Sequence, residues 1–129
     1  MTPKRPYIIR AMHEWIEDND YTAYLLVDAS HAELVAPLEY AIDERLVLAI
    51  SYAATQNLHI DNDAISFEAR FGGVSHKLWI PMQAVMAIYP KENSEQITFF
   101  DPSEYDGYQP SPKDNDKPTD NKPTLRILD

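Results

Sequence analysis

The chain has 129 residues, a formal net charge of -10 from 11 basic and 21 acidic side chains, and no cysteine. That length suits one domain around a single core, and the missing thiols exclude both a disulfide framework and a thiolate zinc site. An acidic balance lacks the clustered Lys and Arg that duplex nucleic acid requires, and favours protein partners instead.

Charge is unevenly spread. Residues 1–10 carry Lys4, Arg5 and Arg10, residues 11–68 hold twelve acidic side chains against Arg45 alone, and residues 71–100 balance. The apolar residues of the N-terminus are interrupted by His13 and Glu14, so they form no signal-peptide core. No run of 18 apolar residues is present to span a membrane. The expectation is a cytoplasmic protein with no membrane association.

The first predicted element is a helix from Pro6, a residue suited to the first helical position, to about Asp18. Tyr7, Ile8, Ala11, Met12, Trp15 and Ile16 recur in it at three- and four-residue spacing. Tyr7 and Ala11 stand at i and i+4, offset from Ile8, Met12 and Trp15, so the helix has apolar surface for two neighbours; packing all of it into one core is the alternative.

Beyond Asn19 the pattern changes to strands. "YTAYLLVDA" and "RLVLAISY" are short apolar or alternating runs, "AISFEARF" puts Ile65, Phe67, Ala69 and Phe71 on one face, and "VSHKLWIP" does the same for Val74, His76, Leu78 and Ile80. Gly72 and Gly73 between the last two have the composition of a tight hairpin. "VMAIYP" and "EQITFF", separated by "KENS", predict a second hairpin. A single helix followed by several short strands indicates an α+β, mainly β chain: a small antiparallel sandwich or partly open barrel.

Half of the ten prolines (Pro102, Pro110, Pro112, Pro118, Pro123) follow position 100. This shift predicts a folded domain over residues 1–107, a flexible Pro/Asp/Lys-rich linker over 108–122 and a terminal segment over 123–129. That segment holds Leu125, Ile127 and Leu128. Apolar residues at the tip of a disordered tail gain nothing by themselves and therefore suggest a partner, although "TLRIL" could also fold back as an edge strand on its own domain.

Catalytic chemistry is thinly represented. His13, His31, His59 and His76 stand singly, without metalloprotease spacing, and are expected at surface or edge-strand positions. "DNDAISFE" opens like a calcium loop with Asp61 and Asp63, but Ile65 stands where an oxygen ligand belongs and Ser66 where the turn glycine belongs. The acidic groups Glu39, Asp43, Glu44 and Glu14, Glu17, Asp18 lack a pocket signature and suit solvated faces. "FGG" is no phosphate loop, having neither the third glycine nor the lysine. No enzyme, cofactor or metal is expected. In "ARFGG", Ala69 is the one small residue on a face of large ones, which leaves a dent beside glycines where another backbone can approach.

Several separated stretches, "RPYIIRAMHEWIEDN", "APLEYA", "LVLAI", "NDAISFEARFGG", "IPMQAVMAIYPKEN" and the terminal "KPTLRIL", resemble the stringent starvation protein B (SspB) family. These are adaptors that deliver ssrA-tagged proteins from stalled ribosomes, tagged through tmRNA, to the ClpXP protease. The resemblance covers residues 3 to about 100 and 122 to 128. It implies an Sm-like β-sandwich behind the N-terminal helix and a homodimer formed through that helix at Tyr7 and Ala11. It further implies a tag-binding groove at Ala69, Arg70, Phe71, Gly72 and Gly73 with Leu48, Ala49 and Ile50 as neighbours. Pro123, Leu125, Arg126, Ile127 and Leu128 match the family's module that docks on the N-terminal zinc-binding domain of ClpX. The chain departs from the family pattern in ending on Asp129 rather than a base. An Sm-like RNA-binding module is the competing expectation; the acidic charge speaks against it.

Overall fold

A computed structural model of the chain describes residues 2–106. The expected linker and terminal segment, 108–122 and 123–129, lie outside the described residues. Helix α1 spans Arg5–Asp18 with proline in its first turn, as the sequence predicts. Seven strands follow: β1 (Ala23–Asp28), β2 (Arg45–Ala49), β3 (Gln56–Ile60), β4 (Ala64–Phe71), β5 (Val74–Pro81), β6 (Val85–Pro90) and β7 (Thr98–Phe99). They form two antiparallel sheets, ordered β2-β1-β6-β7 and β3-β4-β5.

Alternation in the sequence sets which side of each strand is buried. Ala23, Leu25 and Val27 of β1, Leu46 and Leu48 of β2, Ile65 and Phe67 of β4 and Leu78 and Ile80 of β5 all point into one core. Ile9 and Ile16 of α1 complete it. At roughly 1.5–3 kcal/mol per buried aliphatic side chain, this shared core is the main term holding the helix to the two sheets. Among the described residues no helix is long and apolar enough to cross a membrane.

Three features differ from the sequence-based expectations. Strand β3, "QNLHI", was not predicted: it is mostly polar, and Asn57 has a left-handed φ of 56°, which breaks the alternation. The expected second hairpin forms, with a longer connection and a shorter ladder than the sequence suggests. A 3-10 segment, Lys91–Gln96, follows β6, and only Ala87↔Phe99 and Ile88↔Thr98 pair with β7. His13, expected at a surface, is buried at 3% exposure, with Nε2 2.8 Å from the Ile50 carbonyl and the Tyr52 ring edge-on to it.

Arg5 is also buried, because every side of its guanidinium finds a partner. It donates to the Met82, Val85 and Asp101 carbonyls and to Glu104. Its faces lie against Phe100 and Tyr105. The other Glu104 oxygen accepts the Lys4 and Arg5 amides at the start of α1, where a carboxylate is favoured by the helix dipole. Residues 100–105 are thereby fixed beside the helix N-terminus.

Candidate functional site

The eight-rung ladder between β4 and β5 runs from Ala64↔Pro81 to Phe71↔Val74 and closes through Gly72 and Gly73. Both glycines have positive φ, 60° and 82°, the requirement of a two-residue turn that follows the strand twist. At the far end of the ladder, Ile65 and Ile80 are fully buried, and Phe67 and Leu78 are 3% exposed. The last two inward-facing rungs, Ala69↔His76 and Phe71↔Val74, lie at the margin of the core. Ala69, His76 and Phe71 are half-buried and Val74 is 58% exposed, although all four continue the inward-facing side of the hairpin.

A second element meets these rungs. After β1 the chain pairs Val35 with Trp79 of β5, passes Pro37 and makes a 3-10 turn, Leu38–Tyr40. Tyr40 packs on Phe71 with ring centroids 5.5 Å apart, and Phe71 meets the edge of His76 at 5.7 Å. Glycine is favoured at position 72 by its positive φ, and a Cβ there would come within 3.1 Å of the Tyr40 hydroxyl, which would have to yield by a few tenths of an ångström. Leu38, Tyr40 and Ile42 are each about half exposed or more. The result is an apolar ledge, Phe71 and Val74 with Tyr40 above, on which Ala69 is the small side chain between Phe67 and Phe71. An exposed apolar surface of this kind can receive another chain's side chains without any chemistry of its own.

The structure sorts the candidate residues. Ala69, Phe71, Gly72 and Gly73 come together at the hairpin end. Arg70 is exposed on the opposite side of β4, where its Nη1 donates to the Gly73 carbonyl at 3.2 Å, so it braces the turn. Leu48 and Ile50 are 1% and 0% exposed; they can support a binding surface only from within the core. Ala49 pairs with Tyr24 and shares its face of the other sheet, the side away from Leu48. Sequence reasoning did not single out Tyr40. The available signal was the alternation of Leu38, Tyr40 and Ile42 directly after Pro37.

On α1, Tyr7 is 50% and Trp15 41% exposed, and Ala11 is exposed between them, while the opposite face carries the buried Ile9, His13 and Ile16. Tyr7 is steadied by Arg10 stacked over its ring and by a 3.3 Å bond from Asn62 to its hydroxyl. The helix therefore presents an apolar stripe outward at Tyr7 and Ala11, as their offset spacing predicts, and Trp15, expected on the other stripe, joins them.

The acidic groups do no visible chemistry. Glu17 accepts the Tyr52 amide at 2.9 Å and lies 3.5 Å from His13, and Glu39, Asp43 and Glu44 face solvent. Ile65 is fully buried, so the Asp61–Asp63 turn cannot close around a calcium ion. Among the described residues no three His, Asp or Glu side chains are grouped to hold a metal. The carboxyls held below their ordinary range, Asp28 and Asp101 by hydrogen bonds from Ser30 and Ser103 and Glu92 by bonds from Thr22, all close local turns or connections.

Residues 3–126 match the family model described as Stringent starvation protein B. Over 118 residues, 92% of this chain and 78% of the relative, the sequence is 46% identical to the "Stringent starvation protein B homolog" of Haemophilus influenzae. Extent and identity together establish descent as well as fold: the chain belongs to the stringent starvation protein B family, the non-enzymatic ClpXP adaptors for ssrA-tagged substrates.

Proposed function

We propose that this chain is itself a cytoplasmic ClpXP adaptor, which binds ssrA-tagged polypeptides at the exposed end of the β4–β5 hairpin and tethers them to ClpX through its C-terminal residues. The observation that carries the binding half is the pair of rungs at the margin of the core that keep an apolar, inward-type face, with Ala69 as the small position. In a fold that needed only stability, those rungs would be covered or polar. The tethering half rests on family membership and on the match of Pro123, Leu125, Arg126, Ile127 and Leu128 to the docking module for the ClpX N-terminal zinc-binding domain.

Pairing of two copies through Tyr7 and Ala11 is part of the same reading, supported by the outward apolar stripe of α1. A dimer has two binding surfaces and two docking segments. Each contact can then be weak enough to release cargo while the pair gains by effective concentration. Neither nucleic acid nor membrane has a part in this scheme.

The test is the rate at which ClpXP degrades an ssrA-tagged reporter held below saturation, with no adaptor, with the full chain and with a chain ending at Lys122. The full chain should accelerate degradation, and the shortened chain should bind cargo without accelerating it. Equal rates with both forms would show that the Leu-Arg-Ile-Leu end does not dock.

A further inference from the structure

Leu34, Leu78 and Ile80 are buried in the core, so alternation turns their neighbours Val35 and Trp79 to the outer side of the β3-β4-β5 sheet. These two are joined backbone to backbone in both directions, each bond 2.9 Å. Paired residues of an antiparallel ladder carry their side chains on one face, about 5 Å apart. Both stay exposed, Val35 at 55% and Trp79 at 48%. A lone apolar residue at a surface calls for no partner, but a tryptophan and a valine fixed side by side form a patch.

The patch borders a cleft of about 390 Å³, to whose lining Asn57, His59, Glu68 and Lys77 add polar groups. Glu68 accepts from the Asn57 side-chain amide at 3.3 Å. Lys77, opposite Glu68 in register, forms no ion pair among the described residues. The cleft therefore combines an apolar wall with charged groups that remain open to a ligand. It lies on the other side of the sheet from the Phe71–Val74 ledge and apart from the outward stripe of α1.

The composition of the chain points to an occupant. Residues 107–129 hold four basic and four acidic side chains, so the net charge of -10 lies on the residues before them. Within that balanced segment the signs separate: residues 122–128 carry Lys122 and Arg126 with Leu125, Ile127 and Leu128, and no acid. A basic and apolar peptide complements an apolar cleft that presents Glu68 on an acidic domain. Residues 107–122 can extend to at most roughly 55 Å, against a radius of gyration of about 13 Å for a domain of this size. Every face is within their reach.

We infer that residues 123–129 rest on the Val35–Trp79 face of their own chain until a partner draws them away, with apolar side chains on that pair and Arg126 at Glu68. This rests on the reading of the segment as the ClpX-docking module and adds an autoinhibitory contact to it. A short tether supplies an effective concentration in the mM range. Self-docking of mM strength would then weaken the apparent affinity for ClpX about two- to fivefold, enough to favour bivalent capture over single contacts.

The indole N–H signals of Trp15 and Trp79, the two tryptophans of the chain, test this by nuclear magnetic resonance. Between the full chain and a chain ending at Lys122, the Trp79 signal should shift while that of Trp15 stays in place. Excess ClpX N-terminal domain added to the full chain should return the Trp79 signal to its position in the shortened chain. Trp79→Ser should tighten binding of that domain two- to fivefold in calorimetry.

Identical Trp79 signals in the two forms would overturn the inference, as would an unchanged ClpX affinity in Trp79→Ser. A Trp79 shift that disappears on dilution would put a second molecule on the face and overturn self-docking. If the ClpX domain bound neither form, the docking reading would fail, and the Trp79 comparison would still decide whether the segment occupies this face.

Discussion

The two ends of the β4–β5 hairpin share one ladder, one residue alternation and one inward-facing side, yet their surroundings are opposite. At Ile65 and Ile80 the face is sealed by the rest of the core; at Phe71 and Val74 it stands open, with Tyr40 leaning over it. A strand can thus carry a surface outward from the core simply by being longer than the sheet that covers it. On the proposed function, rigidity comes from the buried end and recognition from the free one, so substitutions should separate the two properties according to how far along the ladder they fall.

The largest effect on stability is expected at the buried end. Ile80→Ala should lower unfolding free energy by about 2–5 kcal/mol, the cost of lost burial and a residual cavity. Urea denaturation measures it, and the fraction still folded should keep its affinity for tag peptide. A loss of affinity in step with stability would erase the distinction between the ends.

At the turn, Gly72→Ala combines a positive φ with a Cβ only 3.1 Å from the Tyr40 hydroxyl. A cost of about 1–2 kcal/mol follows from the left-handed conformation alone, and displacement of Tyr40 should weaken peptide binding at the same time. This variant joins the two properties because the turn belongs to both. Tyr40→Ala sharpens the comparison from the other side. Its ring is 47% exposed, so stability should fall by no more than about 1 kcal/mol, while loss of the overhanging wall should weaken tag binding several-fold by fluorescence anisotropy.

The smallest effect is in pH dependence. Glu92 is held below its ordinary range first by the Thr22 backbone amide and then by its hydroxyl; Asp28 is lowered chiefly by the Ser30 hydroxyl and amide. A carboxyl with a depressed folded-state pKa contributes stability that is fully present above its unfolded value and is lost as the pH falls through the folded one. Thermal midpoints should therefore be level above about pH 5 and decline below about pH 4, and Glu92→Gln should flatten part of that decline. An unchanged slope would show that the Thr22–Glu92 link carries no stability.

Much of this arrangement was legible before any coordinates. The alternation in "AISFEARF" and "VSHKLWIP" identified the inward face of both strands, and Gly72–Gly73 identified the turn, because period-two patterning and positive-φ demand are local properties. The offset of Tyr7 and Ala11 likewise anticipated an outward stripe on α1. Other features depend on distant partners and leave little local trace. Arg5 and His13 look like surface residues until the Met82, Val85 and Ile50 carbonyls are seen to receive them. Strand β3 is polar and interrupted at Asn57, and exists because β4 offers it an edge. Tyr40 joins the site only because Pro37 ends the pairing at Val35. The resemblance led correctly to the family, while its extension to Ala49 placed a residue whose side chain lies on another face.

The central claim is that the free end of the hairpin binds the tag while the buried end holds the fold. Its most direct test is a titration of labelled ssrA peptide into the unaltered chain and Ala69→Gln, with thermal melts on the same samples. Enlarging the small side chain between Phe67 and Phe71 should weaken binding tenfold or more and move the midpoint by less than about 4 °C, the shift of roughly 1 kcal/mol in a domain of this size. Equal affinity for both proteins would contradict the account.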